Sequence, residues 1–215
     1  MKVLIACEYS GTVRDAFIKR GHSAYSCDLL PSEGIHVENH LQMDIDKALL
    51  YNWDLMIGHP PCTYLTVTGN KWFYNPEDKD LPVNERRPHP RFMNRKEDRR
   101  KGIKFFMKLA EANIGKICIE NPVGVISTVW HKPEQIIQPY EYGHKEPKKT
   151  CLWLKNLPKL EPTKIVTPEY HTTKSGKRLP KWYAYADKSK GQAHRAKIRS
   201  KTFQGIADAM AAQWG

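Results

Sequence analysis

Short, nearly continuous apolar runs recur along the chain. Residues 2–7 (KVLIAC), 53–57 (WDLMI), 116–120 (KICIE) and 150–154 (TCLWL) are apolar at neighbouring positions rather than alternate ones. Runs of this kind predict strands buried on both faces, as in a parallel sheet covered by helices. Residues 23–27 predict a further strand. Between these runs the apolar spacing lengthens to that of helices. Val13, Ala16 and Phe17 mark one over 12–20, with Gly21 as its stop. A short helix follows Asp44 and ends near Tyr51. Ile103, Phe106, Met107 and Ala110 mark a helix over 95–112, and Phe203, Ile206, Ala207 and Met210 one over 201–214. Residues 125–130 predict a short helix or turn, and 131–138 a connector. The alternation predicts one α/β domain, with a largely parallel sheet, helices on both faces and a small basic appendage.

Two stretches break the pattern. Residues 70–100 hold Pro76, Pro82, Pro88 and Pro90 among seven arginines and lysines from Arg86 to Arg100. The prolines exclude one long helix before Pro90. The stretch is expected to be an extended, mobile, basic loop: a solvated excursion, or a flap that closes over substrate and grips phosphates. Residues 170–201 are dense in lysine and arginine, with Trp182, Tyr183 and Tyr185 interleaved, which suits phosphate contact with base stacking. The expected division is a core over 1–160, a basic and aromatic segment over 161–201, and a C-terminal helix over 202–215 returning to the core.

With 35 basic and 23 acidic residues the chain carries a formal charge of +12, an excess that favours a polyanionic partner, most simply nucleic acid. Its five cysteines are scattered, with no CxxC, and read as thiols in a reducing compartment. No apolar run is long enough for a membrane span and no signal-peptide core stands at the N-terminus, so a cytoplasmic location is expected. His36 and His40 are four apart, and His89 and His131 stand alone. None has a ligand cluster close in sequence, so no metal site is expected.

The chemistry gathers at residues 56–69, MIGHPPCTYLTVTG. An apolar run ends at Gly58, and two prolines then stiffen the backbone just before Cys62. A thiol there is a placed nucleophile; an inert buried cysteine beside a turn is the alternative. Glu120 closes the later apolar run, where open α/β sheets bind ligands. The first unit adds strand, Gly-bearing turn (residues 8–11), helix, strand and then Asp28, the layout of a nucleotide-type site in which an acid bonds ribose hydroxyls. A plain αβ unit with a surface acid fits the same residues. Asp44 reads as a helix N-cap or as an adenine contact.

In combination, HPPCTYLT and IENPVG resemble the cytosine-C5 DNA methyltransferases, and more narrowly short phage-encoded proteins described as DNA cytosine methyltransferases. The resemblance covers most of the chain. It implies a Rossmann-like S-adenosylmethionine-dependent methyltransferase fold and methyl transfer to C5 of cytosine in DNA, through a covalent bond between Cys62 and C6. It places Cys62 as nucleophile and Glu120 as the acid that holds the cytosine. Glu8, Tyr9, Ser10 and Gly11 fall on the S-adenosylmethionine loop, with Asp28 at the ribose, Asp44 near the adenine and Pro60 on the cofactor side. Pro61, Asn121, Lys148 and Lys149 fall on the substrate side with Trp182 and Tyr183. Residues 205–209 (GIADA) resemble the segment that pads the cofactor pocket. A host-cytoplasmic location follows if the chain is phage-encoded. Lysines stand where the family carries an arginine motif, which keeps charge and loses the planar fork. Little chain remains for a target-recognition domain, so relaxed sequence specificity is expected. The competing readings are methylation of a cytosine mononucleotide or RNA, a catalytically degenerate nucleic-acid-binding module, and a Cys-dependent nucleoside hydrolase or transferase.

Overall fold

A computed structural model describes residues 1–181 and 200–215. Seven strands form one sheet in the order β3-β2-β1-β4-β5-β7-β6. They are β1 (Lys2–Ala6), β2 (Ser23–Asp28), β3 (His40–Gln42), β4 (Leu55–Gly58), β5 (Lys116–Pro122), β6 (Gln135–Ile137) and β7 (Thr150–Lys155). The pairs among β3, β2, β1, β4 and β5 are parallel, and β7 runs antiparallel to both β5 and β6. This is the α/β, Rossmann-like arrangement that the resemblance implies. The helices are α1 (Thr12–Lys19), α2 (Ile45–Ala48), α3 (Arg95–Ala110), α4 (Ile126–Val129) and α5 (Gln204–Trp214).

The unbroken apolar runs have the cause the pattern indicated: each strand feeds two cores. In β1, Val3 and Ile5 face one side, with Phe17 of α1 and Met210 and Trp214 of α5. Leu4 and Ala6 face the other, with Ala48 of α2, Phe106 and Leu109 of α3 and Ile126 of α4. In β7, Leu152 joins the first core, and Cys151 and Trp153 the second. Strand side chains alternate between faces, so a strand covered on both sides has no polar positions to spare.

Several boundaries differ from expectation. β5 continues beyond the 116–120 run through Asn121 and Pro122, because β7 pairs with it as far as Pro122–Thr150. The connector over 131–138 contains β6, and β3 forms an outer edge. Both have three residues, too few to show a period. Residues 170–181 hold a hairpin of β8 (Tyr170–Thr172) and β9 (Arg178–Pro180).

The basic loop is built more tightly than an open flap. It contains 3-10 turns at Val67–Trp72 and Pro76–Asp78. Four of the arginines expected to grip phosphates serve the protein instead. Arg87 is held by Asp78, 2.6 Å away, and by Glu77. Arg86 donates to the carbonyls of Leu81 and Lys79. Arg95 is buried, within 5.5 Å of the ring centroids of Tyr64, Phe73 and Phe92. Arg99 lies 3.9 Å over Phe73. Aromatic faces attract guanidinium groups and shed water at the same contact, which draws Arg95 and Arg99 inward, whereas Arg87 stays exposed.

Candidate active site at the strand ends

The carboxyl ends of β1, β4 and β5 meet where the strand order reverses, the usual ligand crevice of such sheets. The chain leaves β1 sharply: Cys7 has φ of 60°, unusual for a residue with a side chain. The His59 N–H donates to Ala6 O (2.9 Å), tying the start of the proline loop to the end of β1.

The two landmarks of the sequence lock together here. Asn121 Nδ2 donates to Pro60 O over 2.8 Å. Beyond Cys62, Leu65 and Thr66 donate back to Cys62 O. Beyond Glu120, Val125 N donates to Leu65 O (2.8 Å), and Thr66 bridges Gly124. A Cβ on Gly124 would stand 2.1 Å from Leu65 O, so only glycine allows this approach. Arg95 and Arg99 complete the hold, donating to Thr63 O (3.1 Å) and Tyr64 O (2.8 Å).

Cys62 is exposed, unlike the buried Cys27, Cys118 and Cys151. Desolvation in the loop pushes its thiol above the ordinary value of 9.0. Glu120 adds to the rise, while Lys148 and a backbone N–H oppose it. Glu120 carries a side chain 18% exposed, with Oε2 3.2 Å from His59 Nδ1. Burial favours its neutral form, but the His59 hydrogen bond and the charges of Lys148 and His59 outweigh it. The carboxyl is held below its ordinary range. The positive charge near the thiol, which sequence alone did not identify, is thus Lys148. It lies two residues before β7, and because β7 is antiparallel its first residues meet the last of β5. Lys148 Nζ also lies 5.7 Å from the Phe203 ring centroid. Lys149 is exposed beside it.

The first turn differs from a cradle open to a ligand. Glu8 is buried, and its oxygens accept from Val13 N (2.7 Å), Arg14 N (3.2 Å) and Ser10 Oγ (3.2 Å), capping α1. Tyr9 OH is 3.1 Å from Ser200 Oγ. Gly11 has φ of 74°, and a Cβ there would meet Arg14 Nη2 at 2.5 Å and Gly34 Cα at 2.8 Å. Its small size therefore admits the buried Arg14, whose Nη1 reaches Ser26 Oγ and Ser32 Oγ.

Asp28 and Asp44 do come together. They line a cleft of about 430 Å³, counting space open to solvent, with Cys7, Cys27, Leu29, Met43, Ile45, Pro61 and Phe105. Asp44 also caps α2 through Asp46 N (2.9 Å), so both readings of that residue coexist. Pro61 stands in this cleft, whereas Pro60 is buried on Asn121. The 205–209 segment does not line the cleft. Gly205 lies against Tyr142 O and donates to His144 Nε2 (2.9 Å). Burial pushes the Cys7 thiol far up and that of Cys27 up to about 11, so both stay protonated there. Trp182 and Tyr183 lie outside the described residues. His59 and Phe105 escaped the sequence reading. His59 had one signal, a titratable ring directly before the two prolines; Phe105 had only helical spacing. Among the described residues no group of three or more His, Cys, Asp or Glu is placed to hold a metal, and no helix is long and apolar enough to cross a membrane.

No family model matches the sequence, and no curated protein matches it. Among solved structures the chain is similar to one described as a candidate DNA modification methyltransferase encoded within an E. coli prophage. The match has 14% sequence identity and a TM-score of 0.42 over 78% of this chain. The chain covers about half, 52%, of that one.

Proposed function

We propose that the chain methylates C5 of cytosine in DNA, using S-adenosylmethionine, through a transient bond between Cys62 Sγ and C6 of the ring. The observation that carries this reading is the shared site of Cys62 and Glu120. One is the exposed thiol, the other the acid near the end of the neighbouring strand, and the acid's charge acts on the thiol. Cytosine C5 is a poor nucleophile until a thiolate adds to C6, which moves an electron pair toward C5. Cys62 supplies the thiolate. Lys148 favours its charged form, and Glu120 holds the ring and limits charge on N3. The base must leave a duplex stack to reach the sulfur.

The neighbouring cleft fits a nucleoside-bearing cofactor. Asp28 closes β2 where ribose hydroxyls are bonded in such folds. Leu29, Met43, Ile45 and Phe105 offer apolar walls for a base. S-adenosylmethionine, when bound, supplies an electrophilic methyl group. The protonated state of Cys7 and Cys27 keeps competing thiolates away from it. DNA as substrate is supported by the charge of +12.

The test is covalent trapping. Incubation with 5-fluorocytosine DNA and S-adenosylmethionine is expected to give a stable adduct with the wild type and none with Cys62→Ala. An adduct that persists in Cys62→Ala overturns the reading. Cytosine mononucleotide and RNA acceptors, run in parallel, identify the substrate class.

A further inference from the structure

The start of α5 breaks a local rule. Its N-cap residue is Phe203, which makes no side-chain capping bond. Ser, Thr, Asp or Asn at that position would satisfy an N–H that the helix leaves unpaired. The fold forgoes that bond and places a ring there instead. Phe203 is half-buried, packed against the first core. Two side chains of the segment before β7 meet the ring. The His144 centroid lies 5.1 Å from its own, tilted by 56°, and Lys148 Nζ lies 5.7 Å from it. At that distance the face of an aromatic ring attracts a cation. The ring is fixed from both sides. Before it, Ser200 Oγ lies 3.1 Å from Tyr9 OH, and Lys201 Nζ 2.7 Å from Glu33 Oε2. After it, Gly205 N donates to His144 Nε2 (2.9 Å), and a Cβ on Gly205 would collide with Tyr142 O. Residues 200–205 thus run from the first turn to the segment before β7.

We propose that Phe203 is a positioning residue for Lys148: its ring, propped by His144, holds the ammonium group at the site of Cys62 and Glu120. The use made of that charge rests on the preceding reading of the site. The register supports the placement. Thr150 pairs with Pro122, so the segment before β7 meets β5 just beyond Glu120. Lys148 is half-buried there, whereas the adjacent Lys149 is exposed. An ammonium on a flexible four-carbon stem has no fixed position of its own, so a site that needs positive charge at one point must hold the stem or the head. Phe203 does so from an element far away in sequence. The charged groups that act on Cys62 are Glu120 and Lys148, and those that act on Glu120 are Lys148 and His59. Burial holds the thiols of Cys118 and Cys151 protonated.

Iodoacetamide labelling of Cys62 in the full chain reads where that charge stands. Phe203→Leu keeps the apolar packing and loses the ring face. At a fixed pH below the labelling midpoint it is expected to slow the reaction about threefold, the scale of one exposed cation–π contact. Phe203→Tyr keeps the face and should label as the wild type does. In a Lys148→Met background, Phe203→Leu should add nothing. Wild-type labelling in Phe203→Leu overturns the proposal. So does an equal slowing in the Lys148→Met background, because the ring would then act on the loop and not through the lysine. A second readout does not depend on how Phe203→Leu folds. In ¹H–¹³C spectra of the wild type, the ε-methylene protons of Lys148, assigned by their loss in Lys148→Met, are expected upfield of the other lysines, displaced by the ring. An undisplaced resonance overturns the contact. Failure of the preceding reading looks different: the labelling and the displaced resonance behave as described, while no adduct forms with 5-fluorocytosine DNA and S-adenosylmethionine.

Discussion

Cys62 sits between two opposite charges, and each has a calculable sense. Glu120 raises the thiol and Lys148 lowers it, both acting on a baseline already lifted by desolvation. Only the thiolate attacks an alkylating reagent at a useful rate, so the pH at which alkylation accelerates reports this balance. The midpoint for Cys62 is expected above 9.0, the ordinary thiol value. Glu120→Gln removes an anion and should bring the midpoint down. Lys148→Met removes a cation and should move it up. Iodoacetamide labelling followed by mass spectrometry at a series of pH values checks both. Opposite displacements are the expected outcome, and displacements of the same sign would contradict the geometry. Before substrate binds, the nucleophile is thus partly suppressed. This is consistent with a site in which Glu120 stops acting as a bare anion once a pyrimidine occupies its oxygens.

The elements carry the second layer, and here sequence and structure part company in an instructive way. The strands were legible because burial on both faces leaves an unbroken apolar run, as in residues 2–7 and 116–120. The pairing of Cys62 with Glu120 was legible because both stand at ends of such runs. Long-range side-chain assignments were not. Nothing local in sequence shows that Arg95 and Arg99 turn back to the carbonyls of Thr63 and Tyr64, more than thirty positions away. Equally hidden is that the glycine of IENPVG is required by Leu65 O. Both contacts hold the loop just beyond Cys62, so both admit a test. Arg99→Ala loses the hydrogen bonds to Tyr64 O and Asn70 Oδ1 and a contact over Phe73, about 1–2 kcal/mol in sum. Lysine should not rescue it, having no planar fork. Hydrogen exchange should show faster opening of residues 63–73 while α1 and β1 are unaffected. Gly124→Ala forces backbone against backbone and is expected to cost on the order of 2–3 kcal/mol in urea unfolding. A wild-type midpoint for Gly124→Ala would show that the two trailing loops do not need to meet.

Over the whole molecule, formal charge overstates what a polyanion can reach. Several of the 35 basic residues behind the +12 are already engaged within the fold. Arg86, Arg87, Arg95 and Arg99 are committed around the 70–100 excursion. Lys145 and Lys181 both grip Glu169, which they hold down to about 2. Arg178 stacks on Tyr170 at 4.2 Å. Lys174 and Lys177, in the turn of the β8–β9 hairpin, are exposed and have no ion pair among the described residues. DNA affinity measured against salt separates the two groups, since each neutralised phosphate contributes a slope of about −0.9 in log K against log salt. Replacing Lys174 and Lys177 together by alanine should flatten that slope by about 2. Arg87→Ala should leave it unchanged, because Asp78 and Glu77 already hold that guanidinium. Fluorescence anisotropy with one duplex between 50 and 200 mM salt, a range of about fourfold, resolves a change of that size. If Arg87→Ala flattened the slope as much as the hairpin pair, DNA would be competing successfully for the loop arginines. The 70–100 excursion would then open on binding and act as the phosphate-gripping flap that its composition first indicated.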